Sequence, residues 1–252
     1  MSLRLRLSNA AAALAAWVLG APAAWALGQG GMKVWLPEGV STFAPAIDRL
    51  FYIVLWITGI VFVAVQATLL VFLVRYRRRP GRRAAYTHGN VFVEIVWTAI
   101  PAAILVWLAF FNQGAWAKVR GTPPPHDLEV EITGEQFAWN IRYTGADGML
   151  NTPDDITTIN QLHLPVHQTV LIHLKSKDVI HSFFVPQFRV KQDAVPGLTG
   201  RLWVNAVKEG QLEIACAELC GLGHYRMRGF LTVESSEAFA AWLATQLAEQ
   251  QS

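Results

Sequence analysis

Two long apolar runs, Leu50 to Val74 and Val91 to Phe111, constrain this chain more than any other feature of it. The first is broken only by Gln66, and the second carries Glu94 near its start and Pro101 inside. A helix rises 1.5 Å per residue, so roughly 20 apolar residues cross the hydrocarbon core of a bilayer. Each run is long enough, and residues 50–111 read as a transmembrane hairpin. A hydrophobic share of 53% with only 15% charged residues agrees, being too apolar for an ordinary soluble domain. The connecting RYRRRPGRRAAYTHGN holds six arginines between Arg75 and Arg83. Short arginine-rich loops stay on the cytoplasmic side, so this run reads as a topology signal rather than a binding patch. Without it the formal charge of +3 disappears, which removes any support for nucleic-acid binding.

Residues 1–26 have a charged start, a short apolar core and the small-residue end APAAWA, as a secretory signal peptide does, with an uncleaved extra helix as the alternative. Residues 27–49, with Pro37 and Pro45, read as a surface segment along the membrane. Both ends of the mature chain then face outward, placing the protein in a bacterial inner membrane with its C-terminal part periplasmic. Glu94 lies three residues into the second span; an acid at a helix centre costs about 2.5 to 3.5 kcal/mol and usually has a function. So near the end of the span it can also simply reach interfacial water, and both readings stay open.

After a linker, residues 112–126, the character changes. From 127 onward come short strand-like runs: 128–132, 137–143, 161–166, 169–176, 180–185, 200–206, 211–215 and 229–234. Many short strands separated by turn residues predict an all-β sandwich or barrel. The alternation in TVLIHLKS sends Val170, Ile172 and Leu174 inward and His173 outward, where it should bind nothing. The turn-rich stretch 144–155, with Asp147, Asp154 and Asp155, reads as a solvated loop, with a calcium site as the alternative. Phe239, Trp242, Leu243 and Leu247 fall at helical spacing, so residues 235–249 predict a terminal amphipathic helix.

The chemistry is concentrated in IACAELCGLGHYRM, Ile214 to Met227, which contains both cysteines of the chain, Cys216 and Cys220, with Glu218 between them and His224 and Met227 after. A disulfide, a redox dithiol and a structural zinc site are the alternatives to copper. Zinc sites favour cysteine and histidine in fours and rarely recruit methionine, whereas thiolate, imidazole and thioether together suit copper. Two bridging thiolates could hold two copper ions. A further histidine must come from His88, His126, His163, His167, His173 or His181; His181, in the aromatic run DVIHSFFVPQF, stands out, with a hydrogen-bonded core histidine as the alternative.

At this point the residues match a family. CAELCGLGHYRM resembles the copper A motif C-x-E-x-C-G-x-x-H-x-x-M of subunit II of haem-copper cytochrome c oxidases. DVIHSFFVP with KQDAVPG resembles that family's preceding histidine segment, and VEIVWTAIP its second transmembrane helix. The resemblance runs from about Leu50 to the C-terminal helix. It implies a membrane-anchored all-β protein, a two-helix transmembrane hairpin followed by a cupredoxin-like β-sandwich over residues 127–252. It implies a dinuclear copper centre held by His181, Cys216, the Glu218 carbonyl, Cys220, His224 and Met227, with the Glu218 side chain reaching a magnesium shared with subunit I. It makes Glu94 the entrance of a proton path. The implied role is to accept electrons from cytochrome c and pass them to haem in subunit I, for oxygen reduction coupled to proton pumping, with subunit III as a further partner.

Some positions depart from the family. Phe137 stands where mitochondrial members carry the tryptophan of electron entry, so entry is implied at Phe137 or nearby, with Trp139 reading as core. Leu198 stands where many members have arginine. Asp178 and Asp193 match family acids near the subunit interface and the donor face. The competing function is a membrane-tethered copper chaperone, which also uses C-x-x-x-C and a distant histidine, but needs neither His224 nor Met227.

Overall fold

The computed structural model describes residues 35–83, 86 and 88–250, so the expected signal peptide lies outside the described residues. Helix α1 spans Ala44–Arg75 and α2 spans Val91–Arg120. Both are longer than the apolar runs that predict them. Helix α1 starts early because Pro45 is suited to a first helical turn. Helix α2 opens on the Asn90 cap, whose side chain accepts the amides of Phe92 and Val93 at 3.0 and 3.2 Å. It continues through residues 112–120, assigned from the sequence to a linker, and ends before Gly121. Arg49 lies 5.5 Å over the Phe111 ring, one contact between the helices. Away from Ala44, Ile47 and Val119, which pack on the β domain, most of their apolar side chains face outward, as they would toward lipid or another membrane protein.

The strands are β1 (Leu128–Glu135), β2 (Ala138–Tyr143), β3 (Ile156–Ile159), β4 (Gln161–Pro165), β5 (Thr169–Ser176), β6 (His181–Val185), β7 (Val190–Ala194), β8 (Gly200–Asn205), β9 (Gly210–Cys216) and β10 (Arg228–Glu234), followed by α3 (Ser236–Gln250). They form two five-stranded sheets, in the orders β3-β2-β1-β5-β8 and β4-β10-β9-β6-β7. Pairing is antiparallel except for β1 with β5 and β10 with β4. Alternation builds the layer between them: Trp139, Ile141 and Tyr143 of β2 point inward, as do Val170, Ile172 and Leu174 of β5 and Leu231 and Val233 of β10. Each large apolar side chain so buried contributes about 1.5 to 3 kcal/mol. Helix α3 closes one end through Phe239 and Trp242, which pack on Tyr143.

Three expectations need correcting. Strands β3 and β7 add to the eight strand-like runs of the sequence; both are sheet edges, short and half polar, and so lack a strong apolar signal. His173 does lie on the outer face of β5, but it is not free: its Nε2 meets a Glu129 oxygen at 3.0 Å, and His126 meets the other at 2.7 Å. Residues 40–44 are not a surface segment. Val40, Ser41, Phe43 and Ala44 are buried, Ser41 bridges to Ala206, and Phe43 packs edge-on against Trp203 at 4.4 Å between ring centroids. The start of α1 is thereby built into the β domain, because these small and apolar residues extend the edge beyond β8.

Candidate metal centre

The site forms where β9 ends and β10 begins. Cys216 is the last residue of β9, and its amide donates to the Met227 carbonyl at 3.3 Å, so the intervening loop leaves and returns at one point. A single 3-10 turn, His224–Arg226, curls the loop back. Strand β6 lies alongside β9, pairing Phe183 with Cys216, and the Ala217 amide donates to Ser182 O at 2.9 Å. Strand pairing therefore delivers His181, at the head of β6, to a loop far along the sequence.

The loop is held by close packing. Gly221 has φ +136°, and a Cβ there would fall 2.7 Å from Gln136 Nε2; one on Gly223 would fall 2.5 Å from the Phe137 ring. Half-buried Phe137 thus plugs the loop from beneath, while Gln136 Nε2 donates to the Cys220 carbonyl at 2.6 Å. Gly134 leaves room for His181, whose ring would stand 3.0 Å from a Cβ at that position.

The six residues that the resemblance assigns to one centre converge. Cys216 Sγ lies 3.7 Å from Cys220 Sγ, 3.9 Å from His181 Nδ1 and 3.3 Å from the Glu218 carbonyl oxygen. Cys220 Sγ lies 3.6 Å from His224 Nδ1 and 3.6 Å from Met227 Sδ. Two ligands held about 2.0 to 2.3 Å from one ion at a tetrahedral angle are roughly 3.6 Å apart, so the spacing fits shared metal ligation. The sulfurs are too far apart for a disulfide, whose S–S bond is about 2.05 Å. One imidazole reaches each sulfur, and His181, Cys216 and Cys220 place their donor atoms within 4.8 Å of one another. His181 is fully buried, and both cysteines and Met227 are buried. Burial, and then the neighbouring Cys216, push the Cys220 thiol up to about 11, so a metal must displace a proton to bind there.

Behind His181 stands Asp178. Its carboxylate accepts from His181 Nε2 at 2.8 Å, from the Val179 amide at 2.6 Å and from the Gln136 amide at 2.8 Å. Partial burial opposes its ionisation, but the hydrogen bonds from His181 and the two amides outweigh it and hold the carboxyl below its ordinary range. A carboxylate on the far nitrogen fixes the ring's orientation and leaves Nδ1 toward the sulfurs. This contact was missed in the sequence, although an aspartate three residues before a candidate ligand was there to be read.

The other expected residues lie elsewhere. Trp139 is fully buried, 6.0 Å from His181 between ring centroids, and its indole N–H has no hydrogen-bond partner. Asp193 accepts from Ser182 Oγ at 2.7 Å and Lys191 Nζ at 3.0 Å, and the Ser182 bond, then that from Lys191, lower its pKa. Glu94 sits in the first turn of α2, about 39 Å of helix from Arg120 at the domain end. Leu198 is exposed, as are Glu218, Leu219, Leu222 and Tyr225 on the outer side of the loop, so the cluster is roofed by side chains that cover nothing in this chain.

Comparison with known proteins gives a consistent result. A family model described as cytochrome c oxidase subunit II, periplasmic domain, matches residues 128–234, and one described as its transmembrane domain matches residues 28–113. Similar curated proteins include the alternative cytochrome c oxidase subunit 2 of Bradyrhizobium diazoefficiens, 35% identical over 243 residues that cover 84% of this chain and 83% of that one. Cytochrome c oxidase subunit 2 of Cereibacter sphaeroides is 32% identical over 268 residues, covering 91% and 88%. Among solved structures, the periplasmic domain of subunit II of the Bradyrhizobium japonicum oxidase aligns at 29% identity with a TM-score of 0.45, covering 51% of this chain and 99% of that one.

Proposed function

The chain belongs to the cytochrome c oxidase subunit II family, and from that premise we propose that it accepts electrons from cytochrome c at a dinuclear copper centre and passes them to the haem-bearing subunit I. The observation that carries this reading is the convergence of two buried, unbonded sulfurs with two imidazoles, a thioether and a carbonyl. Two coppers bound there would supply a one-electron couple suited to single-electron transfer.

The chain's own residues do the rest. Cys216, Cys220, His181, His224, Met227 and the Glu218 carbonyl would hold the two ions, with one imidazole beside each sulfur. Asp178 orients His181 and offsets positive charge, while Trp139 and Phe183 keep water from its inner side. His181 and Cys216 at the ends of paired strands, and a loop packed on Gln136 and Phe137, would move little between redox states, which would keep reorganisation small. The Phe137 ring against the loop marks a route of electron entry, and Asp178 and Asp193 lie on the face offered to a donor or to subunit I. The Glu218 carboxylate points outward, where it would meet a magnesium shared with subunit I. Glu94 would open a proton path into that subunit, in keeping with acids in membrane spans. The domain would face the periplasm of a bacterial inner membrane, the arginine loop the cytoplasm, and subunit III would complete the assembly for oxygen reduction coupled to proton pumping.

Metal analysis and EPR of the chain purified with its native partners test this. Two coppers per chain with a mixed-valence signal are expected. A single Cu(I) would overturn the reading in favour of a tethered copper chaperone.

A further inference from the structure

The cluster's place above the membrane depends on what joins the β domain to its helices, and several contacts meet on one hairpin. Arg189 lies in the turn between β6 and β7. Its Nε donates to Asp48 Oδ1 at 2.6 Å and its Nη2 to Asp48 Oδ2 at 3.1 Å, a bidentate pair with the first turns of α1. The guanidinium also donates to the Pro186 carbonyl at 2.6 Å, and the side chain is 8% exposed. Arg189 has φ +60°, a left-handed conformation that arginine seldom adopts. It closes the short turn Pro186–Phe188, its amide donating to Pro186 O at 3.2 Å.

The second helix reaches the same hairpin. Arg120, at the end of α2, donates to the Gln192 side chain and, at 3.3 Å, to the Lys191 carbonyl. Residues ahead of α1 add further ties: the Val40 amide donates to Gln187 O at 2.9 Å, and buried Ser41 Oγ to Phe188 O at 2.7 Å. The hairpin connects directly to the cluster. Its β6 strand begins with His181, paired with Ala194 of β7, and ends at Val185, paired with Val190 beside Arg189. At about 3.3 Å per residue, one short strand of some 16 Å separates the tie to α1 from the histidine.

We infer that the β6–β7 hairpin is the seat through which both membrane helices set the height and tilt of the cysteine–histidine cluster, with Asp48, Arg189 and Arg120 as positioning residues. A domain joined to its anchor only by single chain segments would rock. Two helix ends clamped to one hairpin hold it at a fixed angle, and a distance-sensitive transfer to a membrane-embedded acceptor needs that.

The test uses the full chain in its native membrane complex, with genetically encoded spin labels at the exposed positions Arg83 and Glu209. In the double variant Asp48→Asn with Arg120→Gln the distance distribution between the labels should broaden. Transfer of an electron from the copper centre to the subunit I haem should slow several-fold, because tunnelling weakens with distance, with the copper spectrum unchanged. With Arg120 native, Asp48→Arg alone should broaden the distribution, and adding Arg189→Asp should restore much of it, since aspartate tolerates the left-handed turn. An unchanged distance distribution in the double variant, or a broadened one with an undiminished transfer rate, would overturn the inference. The rate measurement rests on the proposed copper centre and the distance measurement does not. Absence of a two-copper spectrum in the native protein would therefore sink that reading while the labels still decide this one.

Discussion

Two loops of the β domain carry three or more potential metal donors, and they differ in whether those donors are already satisfied. In the stretch 144–155 the carboxylates face inward on their own chain. Asp147 accepts the Met149 amide at 2.8 Å, Asp154 accepts the Asp147 amide at 3.1 Å and the Thr152 hydroxyl at 2.7 Å, and Asp155 accepts the Asn151 amide at 2.7 Å and Arg142 at 3.4 Å. In the loop 216–227 the soft donors face one another at 3.6 to 3.7 Å, too far for strong pairing and right for sharing an ion. The first loop's side chains build a turn, whereas the second loop's backbone, glycines and Phe137 build the turn and leave the side chains to chemistry.

The sharpest break in this comparison is removal of a bridging sulfur. Cys220→Ser should abolish the two-copper spectrum altogether, because both imidazoles and the thioether are arranged around that sulfur pair; a protein still holding two coppers would place the centre elsewhere. Asp178→Asn comes next. It keeps the shape but weakens the hold on His181 Nε2, and a lost outer partner of this kind typically lowers metal affinity by about 10- to 100-fold. Copper competition with a chelator measures it, and an unaltered affinity would show that Asp178 serves only a docking face.

For the aspartate loop the comparison predicts a structural effect. Asp155→Ala leaves the Asn151 amide without its partner, removes one of the acceptors of Arg142 and should cost about 1 to 3 kcal/mol in urea unfolding. Added calcium should leave the native melting temperature in place, and a calcium-dependent rise would move this loop to the ligand-bearing side.

How much of this could be read from the chain alone differs in the same way. Cys216, Cys220, His224 and Met227 are legible because they are crowded into one loop with spacings that suit a soft metal. His181 stands out through its aromatic strand, but a core histidine reads equally well there; its place at the site depends on β6 pairing with β9, and pairing between distant strands leaves no periodic trace. Eight strands announced themselves through apolar alternation, while β3 and β7, as short edge strands, did not. The Asp48–Arg189 pair, joining a membrane helix to a β turn, had no local signal at all. Asp178 had one, three residues before His181, that reads equally well as a solvated loop acid.

The smallest effect concerns the outer face of the first sheet, where Glu129 stands between His126 and His173. This cluster has a carboxylate and two imidazoles, yet by the same criterion it belongs with the aspartate loop, because each carboxylate oxygen already has its own ring nitrogen. The bond from His126 lowers the Glu129 pKa, burial opposes it, and His173 lowers it further. A carboxyl depressed in the folded state adds stability that is present above its unfolded pKa of about 4.5 and is lost as pH falls through the lower folded value. With a side chain 40% exposed, the gain is screened by solvent and small. Urea midpoints taken from pH 6 down to pH 3 should therefore fall slightly more steeply for the native protein than for Glu129→Gln, with the difference confined to the acid end. Parallel curves would mean that the two histidines hold Glu129 no better in the folded chain than water does in the unfolded one.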